Sequence, residues 1–156
     1  MIDVEILLFT KKIKKLNALH AFITLMSNFL SKKLLSLNLN RKSEGMSLAN
    51  YKPFIIFEKI IFISGQLPFE KNDLKYTGKI DTDLSEEEAK ESVFLSTNNL
   101  LWNLNDAINE LEINRIKCLN LRGYLNCTKN FKNHSLLFDI SSNLIIKVLG
   151  EADGSH

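Results

Sequence analysis

Apolar and polar positions change rhythm several times along the chain, and each rhythm predicts an element. Phe54 to Phe57 and Ile60 to Ser64 are two short β-branched and aromatic runs separated by Glu58-Lys59, the pattern of a β-hairpin. The turn pair is unfavourable, because two-residue hairpin turns prefer Asn-Gly or Gly-containing pairs. In the second run Ile60 and Phe62 alternate with Ile61 and Ile63, so both faces are apolar and both need cover, which predicts a central strand. The run ends in Ser64-Gly65-Gln66-Leu67-Pro68, where Gly65 is expected to take a conformation closed to other residues and Pro68 to stop pairing. A strand end with free N–H groups beside a hydroxyl forms a lip suited to a ligand.

The other elements follow in order. Phe29, Leu30, Leu34, Leu35 and Leu37 predict a helix, and Asn38 to Asn50 a polar linker. After the hairpin, Glu70 to Asp73 reads as a turn and Leu74 to Ile80 as a third short strand. Ser85 with Glu88 makes a capping box, opening a helix to about Leu111 with Ala89, Val93, Leu100, Leu104, Ala107 and Ile108 on one stripe. The acidic run there serves the helix end, because adjacent helical residues share no face on which to hold a metal. Trp102 lies off the stripe and is expected to pack at a rim or subunit contact. Arg115 to Asn126 is the longest strand candidate, with Leu119, Leu121 and Leu125 on one side and Asn120, Arg122 and Tyr124 on the other. Asn133 to Leu149 reads as a second helix with Leu136, Leu137, Ile140, Leu144 and Val148 inward. This order predicts an α+β fold with two helices on one face of a sheet. The opposite face, carrying Ile60, Phe62 and Tyr124, would be wet in a monomer, so self-association is expected.

Composition narrows the chemistry. A chain of 156 residues with 45% hydrophobic content fits one domain with its own core. The net charge is +2, and Lys11, Lys12, Lys14 and Lys15 against Asp3 and Glu5 account for all of it. From Met26 onward the charges balance, which argues against nucleic acid as a partner. The apolar run Leu16 to Leu30 is interrupted by Asn17, His20 and Asn28 and is too short for a membrane span. Cys118 and Cys127 sit at opposite ends of one predicted strand, about 30 Å apart at about 3.3 Å per residue, too far to bridge. With no secretory signal, a reducing cytoplasm is the expected compartment. His20, His134 and His156 compose no metal-ligand spacing, and the scattered glycines form no phosphate or dinucleotide loop. No catalytic residue, cofactor or metal is assigned on these grounds.

The run Asn50-Tyr51-Lys52-Pro53, the hairpin and Ser64-Gly65-Gln66-Leu67-Pro68 are followed in order by Tyr76 to Ile80, Asp83-Leu84-Ser85, Asn98 to Leu101, Leu121 to Asn126 and Leu149 to Ala152. Together, from about Met26 to His156, they resemble the longer branch of the YjgF/RidA family, also called L-PSP endoribonuclease-like. The resemblance implies a chorismate-mutase-like fold, a mixed β-sheet with two helices packed on one face, assembled as a homotrimer with clefts between neighbours. It divides the chain into residues 1–25, an amino-terminal extension; 26–50, an amino-terminal helix and linker; and 51–156, a YjgF/RidA-like domain truncated at its carboxy-terminal end.

RidA-type members hydrolyse enamine and imine intermediates, the 2-imino acids, to 2-oxo acids and ammonia without a cofactor. An arginine grips the substrate carboxylate and a water adds to the C=N carbon. Residue by residue, the resemblance implies Tyr51 as the pocket tyrosine and Gly65 as the loop glycine, flanked by Ser64 and Gln66. Asp139 falls where RidA members have an asparagine, and a carboxylate there would repel a carboxylate substrate. In the family, the segment matching Gly150 to His156 leads into a strand that begins with the pocket arginine, then a last strand with an acidic pocket residue. This chain stops at His156, and neither Arg115 nor Arg122 is at the matching position. The expectation is a sheet short of partners and a deaminase with little or no activity. The alternatives are a non-catalytic small-metabolite-binding trimer and, less favoured by the charge balance, RNA binding or cleavage.

Overall fold

A strand that is apolar on both faces must be flanked on both edges and covered on both sides, and the first of these conditions is met around Ile60–Gln66. The computed structural model describes residues 2–12, 29–43, 51–71, 73–110 and 113–156. In chain order the elements are β1 (Ile2–Lys12), α1 (Phe29–Ser36), β2 (Phe54–Phe57), β3 (Ile60–Gln66), β4 (Phe69–Glu70), β5 (Asp73–Leu74), α2 (Glu86–Asn109), β6 (Ile113–Leu125), α3 (His134–Leu149) and the single turn α4 (Glu151–Gly154). The main sheet has the order β2-β3-β1-β6, and each neighbouring pair is antiparallel. Parallel bridges join Ile80 to Leu84 and to Cys127 beside it. With the helices packed on one face, the architecture is α+β.

The most consequential element lies in the segment expected to be an extension. Ile2–Lys12 forms β1, paired to β6 along its whole length from Ile2↔Leu125 to Lys12↔Ile113, and to β3 from Val4↔Gln66 to Phe9↔Ile60. Its period-2 pattern explains why: Ile6 and Leu8 are buried under the helices while Glu5 and Leu7 are half-buried on the other face. The sheet is therefore not short of a partner at its centre, because β1 fills the gap between β3 and β6. The Met26-Ser27 start and most of Leu16 to Leu30 lie outside the described residues.

The hairpin forms as expected, with Glu58 taking the left-handed conformation (φ 53°) that its turn demands of a residue ill suited to it. Leu74 to Ile80 is not one strand. β4 and β5 make a small hairpin, and the backbone then turns through Tyr76 (φ 53°), Gly78 (φ 137°) and Asp81 (φ 73°), which breaks any extended run. In β6 the register slips between Leu7↔Asn120 and Leu8↔Cys118. This bulge leaves Leu119 without an opposite residue and turns it out, 42% exposed, whereas Cys118 and Leu121 point into the core.

The box at Ser85 is present: its hydroxyl accepts from the Glu88 N–H at 3.3 Å, and the Ser85 N–H donates to Glu88 Oε2 at 2.8 Å. α2 is buried on more than one stripe, taking in Ser92, Ser96, Thr97, Asn98, Asn99, Asn103 and Asn105 as well as the apolar positions. The sheet covers one side of it and α3 another, where Thr97 and Ser141 share a hydroxyl contact of 2.7 Å. On α3, Leu137, Leu144, Ile145 and Val148 turn inward, while Leu136 is exposed and Phe138 lies over Gly123 of β6. A Cβ added at Gly123 would fall 1.8 Å from that ring, so only glycine fits there.

Two outcomes test this frame. Leu8→Ala is expected to cost about 2–5 kcal/mol in urea unfolding, as for a buried leucine that leaves a cavity, and a near-zero change would remove β1 from the core. Ser85→Ala should cost about 0.5–2 kcal/mol at neutral pH. The Ser85 hydroxyl and N–H hold the Glu88 carboxyl below its ordinary 4.5. That stabilisation is complete above the unfolded value and lost as pH falls through the lowered folded one, so the penalty of Ser85→Ala should shrink in strong acid.

Candidate functional site

Because β3 and β6 are both antiparallel to β1, they run parallel to each other and their carboxyl ends open on the same side of the sheet. Past those ends lie Leu67-Pro68 and Asn126-Cys127, and the loop between β5 and α2 closes over them. A shallow cavity of about 190 Å³ sits there, lined by Pro68, Leu74, Lys75, Tyr76, Gly78 and Asn126 among others. Asn126 Nδ2 donates to the Gly78 carbonyl at 2.9 Å, tying the loop to the strand end.

The strand exit is fixed from beneath by α2. Asn99 Nδ2 donates to the carbonyls of Leu67 (3.1 Å) and Phe69 (2.9 Å), one side chain holding both flanks of Pro68. Beside it Asn98 donates to the Asn40 carbonyl, and about one turn on Trp102 Nε1 donates to that of Leu39, each at 2.9 Å. The Arg41 guanidinium lies 4.8 Å from the Trp102 ring centre and pairs with Asp106. Trp102, expected at a rim, is thus buried and clamps the segment after α1. Two asparagines and a tryptophan inside an apolar helix were the available signal for this anchoring.

Four of the five expected binding residues come together. The Ser64 hydroxyl donates to the Lys52 carbonyl at 2.7 Å, and its N–H to that of Pro53 at 3.0 Å, which draws the lip against the chain beside Tyr51. Tyr51 itself is 47% exposed. The Gln66 amide donates to the Ser64 carbonyl at 2.8 Å across Gly65. Gly65 does not adopt the left-handed conformation expected of it; among the described glycines only Gly78 and Gly150 do. It belongs to a bulge instead. The pairing steps from Val4↔Gln66 to Ile6↔Ile63, so that Glu5 alone faces both Ser64 and Gly65. Asp139 is exposed on α3, turned away from that helix's buried residues Leu137, Ser141 and Ile145, and no hydrogen bond joins it to the lip.

Sequence reasoning missed Glu5. It stands on β1 between the Ser64-Gly65 bulge and Arg122, its direct partner on β6. With strands about 4.8 Å apart, the lip, a carboxylate and a guanidinium occupy one row across the open face. The alternation of Ile2, Val4, Ile6 and Leu8 with Asp3 and Glu5 was the signal that could have found it. Past the end of β6, Cys127 Sγ lies 3.3 Å from His134 Nε2, against which the Phe131 ring packs edge-on. Burial pushes the Cys118 thiol up to about 11, which keeps it protonated and inert. Among the described residues no three His, Cys, Asp or Glu side chains cluster to hold a metal, and no helix is long and apolar enough to cross a membrane.

Residues 31–156 match the profile of a family described as "YjgF/chorismate_mutase-like, putative endoribonuclease". Among solved structures, a "putative endoribonuclease" from Shewanella oneidensis MR-1 is similar at 28% identity and a TM-score of 0.69, over 83% of this chain and 84% of that one. A protein of unknown function from Agrobacterium tumefaciens is similar at 26% identity and a TM-score of 0.60, over 88% and 82%. No curated protein matches significantly. The family match begins after β1, although β1 is central to the sheet.

Asn99→Ala is expected to cost about 1–3 kcal/mol, because two part-buried carbonyls lose their donor. Amide hydrogen exchange should speed up around Leu67 to Phe69 while β6 keeps its protection, and unchanged exchange there would mean that the lip is held by other groups.

Proposed function

We propose, because this chain belongs to the YjgF/chorismate mutase-like family, that it binds small 2-imino or 2-oxo acids at the Ser64–Gln66 lip as a cytoplasmic homotrimer of the RidA type. The observation that carries the reading is the face on which the lip opens. Ile55, Phe57 and Phe62 are 58%, 63% and 46% exposed there, with Leu119 and Tyr124 beside them. Such a contiguous apolar surface calls for cover. A neighbouring copy laid on it would turn the open row at Ser64, Glu5 and Arg122 into a cleft between subunits.

In that cleft the chemistry is imine hydrolysis: water adds to the C=N carbon of a 2-imino acid, and the resulting carbinolamine releases ammonia to leave the 2-oxo acid. The Tyr51 hydroxyl and the backbone around Gly65 would orient the planar group and donate to developing charge, the work of a preorganised polar site. No cofactor is needed for this step. Turnover is expected to be weak, because the Ser64 hydroxyl and the Gln66 amide are already hydrogen-bonded within the chain.

One observation favours a second reading, binding without turnover. The Ser64 hydroxyl is already donated to Lys52 and the Gln66 amide to Ser64, so the polar groups of the lip are engaged structurally. RNA cleavage, the activity named for the family and for the Shewanella protein, would call for a phosphate-neutralising stripe. The open face instead exposes Ile55, Phe57, Phe62 and Tyr124, and its Arg122 stands beside the carboxylate of Glu5.

Native mass spectrometry of the purified chain should give a trimer. Ammonia release from 2-iminobutanoate, generated in situ, should exceed the uncatalysed rate by a small factor and fall about tenfold or more on Tyr51→Phe. A monomer that neither binds 2-oxobutanoate nor releases ammonia, or a chain that cleaves RNA and ignores imines, would overturn the reading.

A further inference from the structure

The sequence contains three arginines, and the structure separates them by partner. Arg41 is engaged by Asp106 beneath the linker. Arg115 makes a bidentate pair with Asp153, at 2.8 Å from Nη2 and 2.9 Å from Nε. Arg122 has no carboxylate: its Nε donates to Asn120 Oδ1 at 3.0 Å, and both Nη groups lack a partner among the described residues.

That single hydrogen bond orients the guanidinium plane and leaves the fork open. A guanidinium so held is suited to a carboxylate, which it grips by two parallel N–H donors. Across the strand, Glu5 is the direct neighbour of Arg122, yet no ion pair joins them or ties Glu5 to another described residue. Both project to the open face, since Ile6 and Leu121 beside them are buried on the helix side. On its other edge Glu5 faces the Ser64-Gly65 bulge. A cation site and an anion site one strand apart, next to the lip, complement a ligand that carries a carboxylate and a protonated nitrogen on adjacent carbons.

We propose that Arg122 is the carboxylate-binding residue of this cleft and that Glu5 holds the cationic nitrogen of the ligand, so that the site selects zwitterions, 2-amino or protonated 2-imino acids, over simple anions. This rests on the reading that the lip takes small 2-imino or 2-oxo acids. It places the carboxylate grip on a residue of β6. Cover of the open face by a second copy would exclude water from both charges and strengthen each contact.

The test is calorimetric titration of the full chain with 2-oxobutanoate and with 2-aminobutanoate, beside an ammonia-release assay. Arg122→Gln should weaken both ligands about tenfold or more, the effect of losing a charged hydrogen bond, and Arg122→Lys should recover part of it. Arg115→Gln should leave both unchanged. Glu5→Gln should weaken 2-aminobutanoate and tighten 2-oxobutanoate, a split that mere loss of structure would not give. Since Arg122 is exposed, the melting temperature should hold. Binding that Arg122→Gln leaves intact overturns the inference while the imine reading stands. Arg122-dependent binding without ammonia release upholds the inference and defeats the deaminase reading. A wild-type chain that neither binds these ligands nor releases ammonia overturns both.

Discussion

The sheet depends on the double pairing of β1. The hairpin of β2 and β3 and the long strand β6 come from distant parts of the chain and do not touch within the sheet; β1 joins them by antiparallel ladders on both of its edges. Every backbone group along β3 and β6 that faces β1 would otherwise end at a raw edge, a costly arrangement under a packed helix layer. Leu8, fully buried between Ile61 and Cys118, is the apolar counterpart of those hydrogen bonds. The position of the lip follows from the same pairing, since β1 sets β3 and β6 parallel and brings their ends to one side.

Above the sheet, α2 does two kinds of work. Its apolar positions close the core, while Asn98, Asn99 and Trp102 hold carbonyls of segments that form no ladder. Such segments cannot be left with bare carbonyls inside, and a helix is a rigid platform from which to satisfy them. The arrangement is not fully economical. Among the described residues the hydroxyls of Ser92 and Ser96 and the carbonyl oxygens of Asn98 and Asn99 are buried without a partner. The same helix therefore carries both the stability of the domain and the placement of the strand exit at Leu67 to Phe69.

What could be read in advance was local. The Phe54–Phe57 and Ile60–Gln66 hairpin, the Ser85–Glu88 box and both long helices announce themselves within a few residues, because their determinants are neighbours in sequence. The family, too, was legible in ordered motifs from Asn50 to Ala152. What escaped depends on partners far along the chain. Ile2–Lys12 has a strand's alternation, but only Leu121 and Ile61 on either side reveal why it is central. Leu119 alternates correctly on paper and is turned out by a bulge that β1 imposes. Gly65 reads as a residue in a conformation closed to others, whereas the bulge opposite Glu5 needs none. Glu5 became visible only once its strand had a place.

That β1 and β6 pair end to end carries a further consequence, for the birth of the fold. Ile2 meets Leu125 and Lys12 meets Ile113, contacts separated by most of the chain, and long-range pairing is slow to form. β1 leaves the ribosome well before β6 exists, a delay on the order of ten seconds at about 5–20 residues per second. Through that interval Ile6 and Leu8 have the hairpin and, once it is made, α2 to lean on. The early chain must then wait as an incomplete sheet with β1 as its bare edge, and the last strand made is the one that seals it.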